Sequence, residues 1–186
     1  MIYDIDINRV FEYTNTGWRE ISTTGNVYLG SFQISAAGIV TVTGIPFIPT
    51  SVSFVAHANV EDFNLNSDNG TSNNDQGIRN SFGTMNGFAR NDSGSITQQV
   101  IYIGGHANSI NDITRFASNT DAIGLRYGDQ NGDFLGSIIG ELTSFTADGF
   151  VINVNYTNGN ITNAARNVAP GDINNEGIVV LYTAYR

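Results

Sequence analysis

Apolar residues alternate with polar or small residues along most of the chain, which is the period of a β-strand. In the segment from residue 150 to 156, the larger hydrophobic residues occupy every second position: Phe150, Ile152, Val154 and Tyr156. Such alternation predicts a strand with one buried face and one wet face.

Nine segments share this pattern and predict strands, at residues 27–34, 39–43, 51–58, 81–90, 96–104, 122–127, 134–146, 150–156 and 178–185. The pattern for helices is weak. Only residues 110–118 and 161–167 are candidates for one or two helical turns, and neither has a convincing apolar stripe.

Turn residues separate the predicted strands. Asp148-Gly149 predicts a tight turn that joins residues 141–146 and 150–156 as a hairpin. Asn and Gly tolerate positive φ, so four further pairs predict turns, at residues 69–70, 86–87, 131–132 and 158–159. The two prolines in residues 44–49 predict a bend. Closely spaced strands with such turns favour a sandwich or barrel, and we predict an all-β fold with one antiparallel, jelly-roll-like β-sandwich over residues 26–186.

Residues 1–25 form a separate predicted segment. Residues 9–21 indicate a β-hairpin around Asn15-Thr16-Gly17, with aromatic residues at Phe11, Tyr13 and Trp18. An isolated hairpin is marginally stable in water, so this attachment segment must pack on the sandwich or on another copy of the chain. We therefore predict that Phe11, Tyr13 and Trp18 take part in self-association, and that Trp18 packs rather than binds a ligand.

The composition excludes several classes of function. The chain has no lysine, and its eight arginines face 17 acidic residues, giving a net charge of −9. Such a chain cannot supply the basic surface that nucleic acids require. It has no cysteine, which excludes disulfides and thiolate metal sites. No apolar run is long enough to span a membrane, and residues 1–25 lack the features of a signal peptide.

Catalytic and metal-binding patterns are also weak, and we predict no enzyme activity and no cofactor. His57 and His106 lack companion ligands at zinc-site spacing, so we interpret both as structural. Four carboxylates are candidates for a glycosidase pair without an evident pairing: Asp129, Asp133, Glu141 and Asp148. Residues 129–133 have oxygens at alternate positions but lack the remaining features of a calcium loop, which favours a solvated hairpin turn. Residues 66–75 are a similar weak metal candidate.

The polar segment from residue 64 to 80 is a long loop, and such loops are usually functional or mobile. Planar amides, aromatic rings and arginines suit the hydroxyls of neutral sugars, so the composition permits a glycan ligand. Our candidate ligand-binding residues are Asn66, Asp68, Asn74, Arg126, Asp129 and Asp133.

The order of these features resembles β-sandwich domains of tailed-phage virion proteins, particularly tail-fibre, head-fibre and receptor-binding tips. The features are the run through Gly44-Ile45-Pro46-Phe47-Ile48-Pro49, a polar insertion, a glycine-rich strand at residues 82–90, and residues 139–150 leading into 177–185. The spacing of Phe11, Tyr13 and Trp18 is similar to the short hairpins that such proteins carry. The resemblance implies a trimeric virion domain that decorates the particle or meets the host surface, and it implies no catalytic residue.

We therefore expect a non-enzymatic phage virion structural protein, either a tail- or head-fibre tip or a decoration protein. Its expected partners are itself, as a homotrimer, other virion proteins and the host surface. The alternative is a carbohydrate-binding or depolymerase domain that acts on host polysaccharide. The absence of lysine supports self-association, since lysine on an edge strand is a common guard against strand-to-strand pairing.

Overall fold

The computed structural model describes residues 1–6, 9–21, 25–64, 76–162 and 168–186. These residues form thirteen strands: β1 (Ile2–Asp4), β2 (Arg9–Thr14), β3 (Gly17–Ile21), β4 (Val27–Ile34), β5 (Gly38–Val42), β6 (Ser51–His57), β7 (Ser81–Asp92), β8 (Ser95–His106), β9 (Ser109–Ser118), β10 (Ile123–Gly128), β11 (Phe134–Thr146), β12 (Gly149–Asn160) and β13 (Ile178–Tyr185). Two single-turn 3₁₀ helices lie at Ile78–Asn80 and Asp172–Asn175.

The strands form three antiparallel sheets. Ten strands make the sandwich, with a four-stranded sheet in the order β10-β11-β12-β5 and a six-stranded sheet in the order β4-β13-β6-β7-β8-β9. The chain crosses between these two sheets after β4, β5, β9 and β12. The predicted all-β fold with an antiparallel β-sandwich is therefore confirmed.

The core lies between the two sheets, where the inward residues of each strand meet. An aromatic cluster fills its centre: the Phe150 ring of β12 lies 5.5 Å from Phe54 of β6 and 5.2 Å from Tyr182 of β13, centroid to centroid. All three side chains are almost completely buried. Burying a side chain of this kind contributes roughly 1.5–3 kcal/mol to the free energy of folding, so this cluster is a major part of the packing between the two sheets.

The predicted strands agree closely with the observed ones. The predictions for residues 27–34, 134–146 and 178–185 coincide with β4, β11 and β13, and the other six differ from the observed strands only at their ends. The hairpin that joins residues 141–146 and 150–156 is confirmed, but its turn is Ala147-Asp148, since Gly149 is the first residue of β12 and pairs with Thr146. Residues 44–49 lie outside the strands, as expected of a bend, and they insert Ile45 and Phe47 into the core.

The prediction of helical turns at residues 110–118 is wrong, because this segment is strand β9 and pairs with β8. In β9 the polarity of a residue does not match its burial, because Thr114 is buried whereas the apolar Ile113 is exposed. The sequence therefore shows no alternation typical of a strand. Of the second helix candidate, residues 163–167 lie outside the described part of the chain, and Ile161 and Thr162 are not helical.

Two of the predicted Asn-Gly turns are wrong. Asn131-Gly132 is a turn, but Asn86-Gly87 lies inside β7 and Asn158-Gly159 inside β12. These glycines allow close approach of another backbone rather than a turn. A Cβ at Gly87 would lie 1.9 Å from the Ala122 carbonyl oxygen, and one at Gly159 would lie 2.7 Å from that of Leu135. Residues 69–70 are outside the described residues.

The predicted N-terminal hairpin is confirmed as β2 and β3, and the unpredicted strand β1 extends it to a three-stranded sheet. No described residue of these strands is buried, and the core of the sandwich contains none of them.

Candidate functional site

The outer face of the six-stranded sheet carries an unusual number of large hydrophobic side chains. Strand alternation places one set of residues in the core, and in this sheet much of the other set is also apolar. We call these outward residues the apolar face: Leu29, Val55, Phe82, Phe88, Ile101, Ile103, Ile113 and Leu181. Leu29 is 75% exposed and Ile101 is 63% exposed, so these side chains are open to solvent rather than covered by loops.

The register of the strands makes this face continuous. Leu181 pairs with Ser31 on one side and with Val55 on the other, and the same row continues through Asn86 to Ile101. Directly opposed residues have Cβ atoms about 4.5–5.5 Å apart, so Leu181 and Val55 are neighbours, whereas Asn86 stands between Val55 and Ile101. The row crosses the whole sheet.

The apolar face has the size of a protein interface. Six strands spaced about 4.8 Å apart span about 24 Å, and eight residues of a strand are about 26 Å long, so the whole outer face of this sheet, with its polar residues included, covers about 600 Å². A standard protein–protein interface buries about 800 Å² on each partner. Monomeric soluble proteins rarely leave contiguous apolar patches larger than a few hundred Å² exposed.

Charged groups are sparse on this face. Strands β4, β6, β8 and β13 contain none of the 17 acidic residues. Arg90 at one end of β7 is 2.9 Å from Asp92, and its hydrogen bond to that carboxylate holds the pKa of Asp92 below the usual value. Arg115 is exposed on β9. The middle of the face is therefore neutral.

Two shallow grooves of about 470 and 450 Å³ cross the apolar face. Asp112 lies at the rim of the larger groove, beside Phe82 and Ile113. Burial raises the pKa of the Asp112 carboxyl, and the nearby His106 and Arg126 oppose this effect. Its Oδ2 atom is buried without a hydrogen-bond partner among the described residues.

The structural role predicted for His106 is confirmed. The Asn108 backbone N–H donates to Nδ1 at 3.3 Å, so the hydrogen lies on Nε2, which donates to the Gly77 carbonyl at 3.1 Å. The ring is almost completely buried. His57 is instead exposed, with Nδ1 3.0 Å from the Thr84 hydroxyl.

The structure brings three of the predicted ligand residues to one end of the sandwich. The Arg126 guanidinium lies 4.5 Å from the centroid of the Phe134 ring. The carboxylate of Asp133 accepts hydrogen bonds from the backbone and side chain of Thr162 at 3.0 and 2.9 Å. Asp129 lies in the same turn as Asp133. The other three predicted residues, Asn66, Asp68 and Asn74, lie outside the described residues, as does the whole candidate metal loop at 66–75.

The interpretation of residues 129–133 as a solvated turn is wrong for Asp129, which is completely buried. Its Oδ1 atom accepts the backbone N–H groups of Asn131 and Asp133, both at 2.8 Å. A buried turn needs such an acceptor for its backbone, so this carboxylate has a structural task.

The four carboxylates considered for glycoside hydrolysis do not gather at one cleft. Asp133 precedes β11 and Asp148 follows it, and a strand of thirteen residues is about 40 Å long. Glu141 is exposed in the middle of this strand, and Asp148 accepts the Gly44 N–H at 3.2 Å. Among the described residues, no group of three or more His, Asp or Glu side chains is arranged to hold a metal ion.

The outer face of the four-stranded sheet is mostly polar, although Ile39 is 65% exposed there. In its central row Asn153 lies between Glu141 and Ile39, and Asn155 follows two residues later on the same side. Glu141, Asn153 and Asn155 are exposed.

The three aromatic residues predicted for self-association lie on one face of the N-terminal sheet. Tyr13 pairs with Trp18 across β2 and β3, with ring centroids 5.2 Å apart and an edge-to-face arrangement. Tyr13 is 70% exposed and Trp18 is 55% exposed, whereas Phe11 is partly buried. This aromatic pair is open for a partner.

Sequence reasoning did not single out the apolar face. The available signal was hydrophobicity at both odd and even positions, as in Val100-Ile101-Tyr102-Ile103 and in the run of apolar residues 178–182. Such runs are also typical of strands buried on both faces. Only the position of the strands in the sheet separates the two cases.

No family model, curated protein or solved structure matches this chain. No helix in the described residues is long and apolar enough to cross a membrane.

Proposed function

We propose that this protein is a non-enzymatic structural protein that self-associates through the apolar face of its six-stranded sheet. The observation that supports this proposal is the set of exposed hydrophobic residues on that face, such as Leu29, Ile101 and Leu181. Covering apolar surface is favourable by about 25 cal/mol per Å², and this gain opposes the loss of translational and rotational freedom on association, which costs about 4–15 kcal/mol.

The charge distribution favours a second copy as the partner. Two copies of a chain with a net charge of −9 repel each other over most of their surfaces. They meet without opposed carboxylates only where acidic residues are absent, and the middle of the apolar face has this property. The resemblance stated above implies a trimer as the stoichiometry.

We propose the virion of a tailed phage as the location, with the protein acting as a tail-fibre tip, a head-fibre tip or a decoration protein. The order of sequence features in the sandwich supports this proposal, and so does the N-terminal sheet. With Tyr13 and Trp18 exposed and outside the core, that sheet suits attachment to another virion protein or to another copy.

A second candidate function is recognition of a host-surface glycan by the polar face. Its supporting observation is the row of outward amides at Asn153 and Asn155 beside Glu141, because amides and carboxylates bond paired sugar hydroxyls. Specific retention on a glycan array by the unmodified protein, lost in an Asn153→Ala and Asn155→Ala variant, would support this role. The depolymerase alternative gains no support from the four residues considered for it, because Asp129 is completely buried and the other three are spread along the length of β11.

The test of self-association is the substitution Ile101→Asp, which places a charge in the middle of the apolar face. Asn155→Asp on the polar face is the matched control, because it adds the same charge at an exposed strand position. We expect light scattering to show an oligomer for the unmodified protein and the control, and a smaller species for Ile101→Asp. Circular dichroism confirms that each variant is folded. An unmodified protein that is monomeric at micromolar concentration contradicts the proposal.

A further inference from the structure

Strand β4 is an open edge of the six-stranded sheet. Among the described residues it pairs only with β13, in a register without bulges from Val27 to Ile34. Its eight residues include no charged residue and no proline. The row of backbone groups on its free side is therefore a regular template for another strand.

The other edges of the sandwich differ from β4. Strand β9 carries Asp112 and Arg115, its pairing with β8 has a bulge, and β10 lies against it. Strand β5 has only five residues. Charges, bulges, covering strands and short length are the usual devices that prevent edge pairing, and β4 has none of them.

Aromatic side chains mark the open side of the sandwich beside β4. Tyr28 and Phe32 point inward from this strand and remain only partly buried, with ring centroids 6.3 and 6.1 Å from that of Tyr182. A strand added to β4 would cover the exposed parts of both rings. The same edge thus offers backbone hydrogen bonds and apolar burial together.

We infer that β4 pairs antiparallel with β4 of a second copy, so that the two six-stranded sheets join as one. This inference rests on the proposed self-association, and it adds strand β4 as a second contact between copies. A strand that pairs with its own copy about a twofold axis is antiparallel, which is the arrangement of every strand pair in this sheet. Both strands of such a pair are uncharged, so the net charge of −9 on each copy is not concentrated at the contact.

A second copy also fits the edge by its pattern. The added strand must have apolar residues on its inner side to cover Tyr28 and Phe32, and β4 itself supplies Tyr28, Phe32 and Ile34 there. Two registers pair the middle of β4 with the middle of the other β4 and keep the outward residues of both strands on the same face. Ser31 lies opposite Ser31 of the other copy in one register and opposite Leu29 in the other. In both registers the apolar faces of the two copies become one continuous surface.

The experiment uses single cysteines, because the natural chain has none. The variants are Ser31→Cys and Leu29→Cys on β4, Ser53→Cys in the middle of the apolar face, and Ala117→Cys on β9. Ala117 is exposed on the same face at the opposite edge, so it is the matched control. Each protein, and a mixture of the two β4 variants, is treated with a short bis-maleimide and analysed by denaturing electrophoresis, with light scattering of the untreated sample.

We expect a two-chain product for Ser31→Cys or for the mixture with Leu29→Cys, depending on the register, and only background for Ala117→Cys. Equal cross-linking at Ala117 and at β4 indicates contact across the whole apolar face or random collision, and either result overturns the edge pairing. Oligomers that cross-link at Ser53 but not at β4, or that yield only three-chain products, overturn the edge pairing while leaving the proposed self-association intact. Monomers without cross-links overturn both.

Discussion

The two outer faces of the sandwich are built from the same strand alternation but have opposite character. On the six-stranded sheet the outward positions carry exposed side chains such as Leu29, Ile101 and Leu181. On the four-stranded sheet the outward positions include Glu141, Asn153 and Asn155. Both faces cover the same core, so the difference does not serve the packing of the sandwich.

This difference shows which face is suited to water. Amides and carboxylates on an outer face are solvated at no cost, whereas exposed aliphatic side chains gain free energy when another surface covers them. The contrast therefore supports the proposed association through the six-stranded sheet.

The largest expected effect comes from breaking the core that holds both faces. Replacement of Phe150 by alanine removes the ring that contacts Phe54 and Tyr182, and we expect a loss of about 3–5 kcal/mol in the free energy of unfolding. Urea denaturation measures it. Val151→Ala is the control on the same strand, where the side chain points outward and is half-buried, so its cost should be much smaller. Equal losses for the two variants would contradict the described packing.

Truncation of the apolar face should weaken association without unfolding the chain. We expect Ile101→Ala with Ile103→Ala to raise the dissociation constant by about tenfold or more, equivalent to at least 1.4 kcal/mol. The control is Asn153→Ala with Asn155→Ala on the polar face, which should leave the dissociation constant unchanged. Sedimentation velocity over a concentration series gives both values. If the two double variants weaken association alike, the assignment to one face is wrong.

Asp112 at the rim of the apolar face should make stability depend on pH. Burial raises the pKa of this carboxyl in the folded chain, so the folded state favours the protonated form. This favourable contribution is present at low pH and is lost as the pH rises through the folded pKa. We expect Asp112→Asn to be more stable than the unmodified protein at neutral pH and equally stable below the pKa of the unfolded chain. Urea denaturation at both pH values measures the difference, and an advantage that persists at acidic pH would contradict this explanation.

The smallest expected effect is on the polar face. Asn153→Ala should change the free energy of unfolding by no more than about 0.5 kcal/mol, because the side chain is exposed and has no packing role. Thermal denaturation checks this value. A large destabilisation would mean that the amide row serves the fold rather than the solvent-facing surface.

The sequence was informative about strands because alternation and turn residues are local properties. It failed at β9, where Thr114 occupies a buried position and the apolar Ile113 an exposed one, so polarity no longer reported burial. It also failed at Gly87, where a glycine is required because the carbonyl of Ala122, which is distant in sequence, lies too close for a Cβ atom. Such contacts depend on the tertiary fold.

The candidate site was harder to predict for a related reason. Leu181 and Val180 are adjacent in the chain, and only the assembled sheet shows that one is exposed and the other buried. Likewise, nothing local distinguishes the buried turn acceptor Asp129 from a solvated carboxylate. The aromatic residues Tyr13 and Trp18 could be predicted as neighbours, because a short hairpin pairs them directly.

Sedimentation equilibrium of the unmodified protein at several concentrations, in low and in high salt, is the most direct measurement of self-association. Burial of a neutral apolar face predicts a mass above the 20.0 kDa of one chain that rises with concentration. Added salt should maintain or strengthen this association, because it screens the repulsion between copies with a net charge of −9. A mass of 20.0 kDa at every concentration and salt level would contradict the proposed self-association.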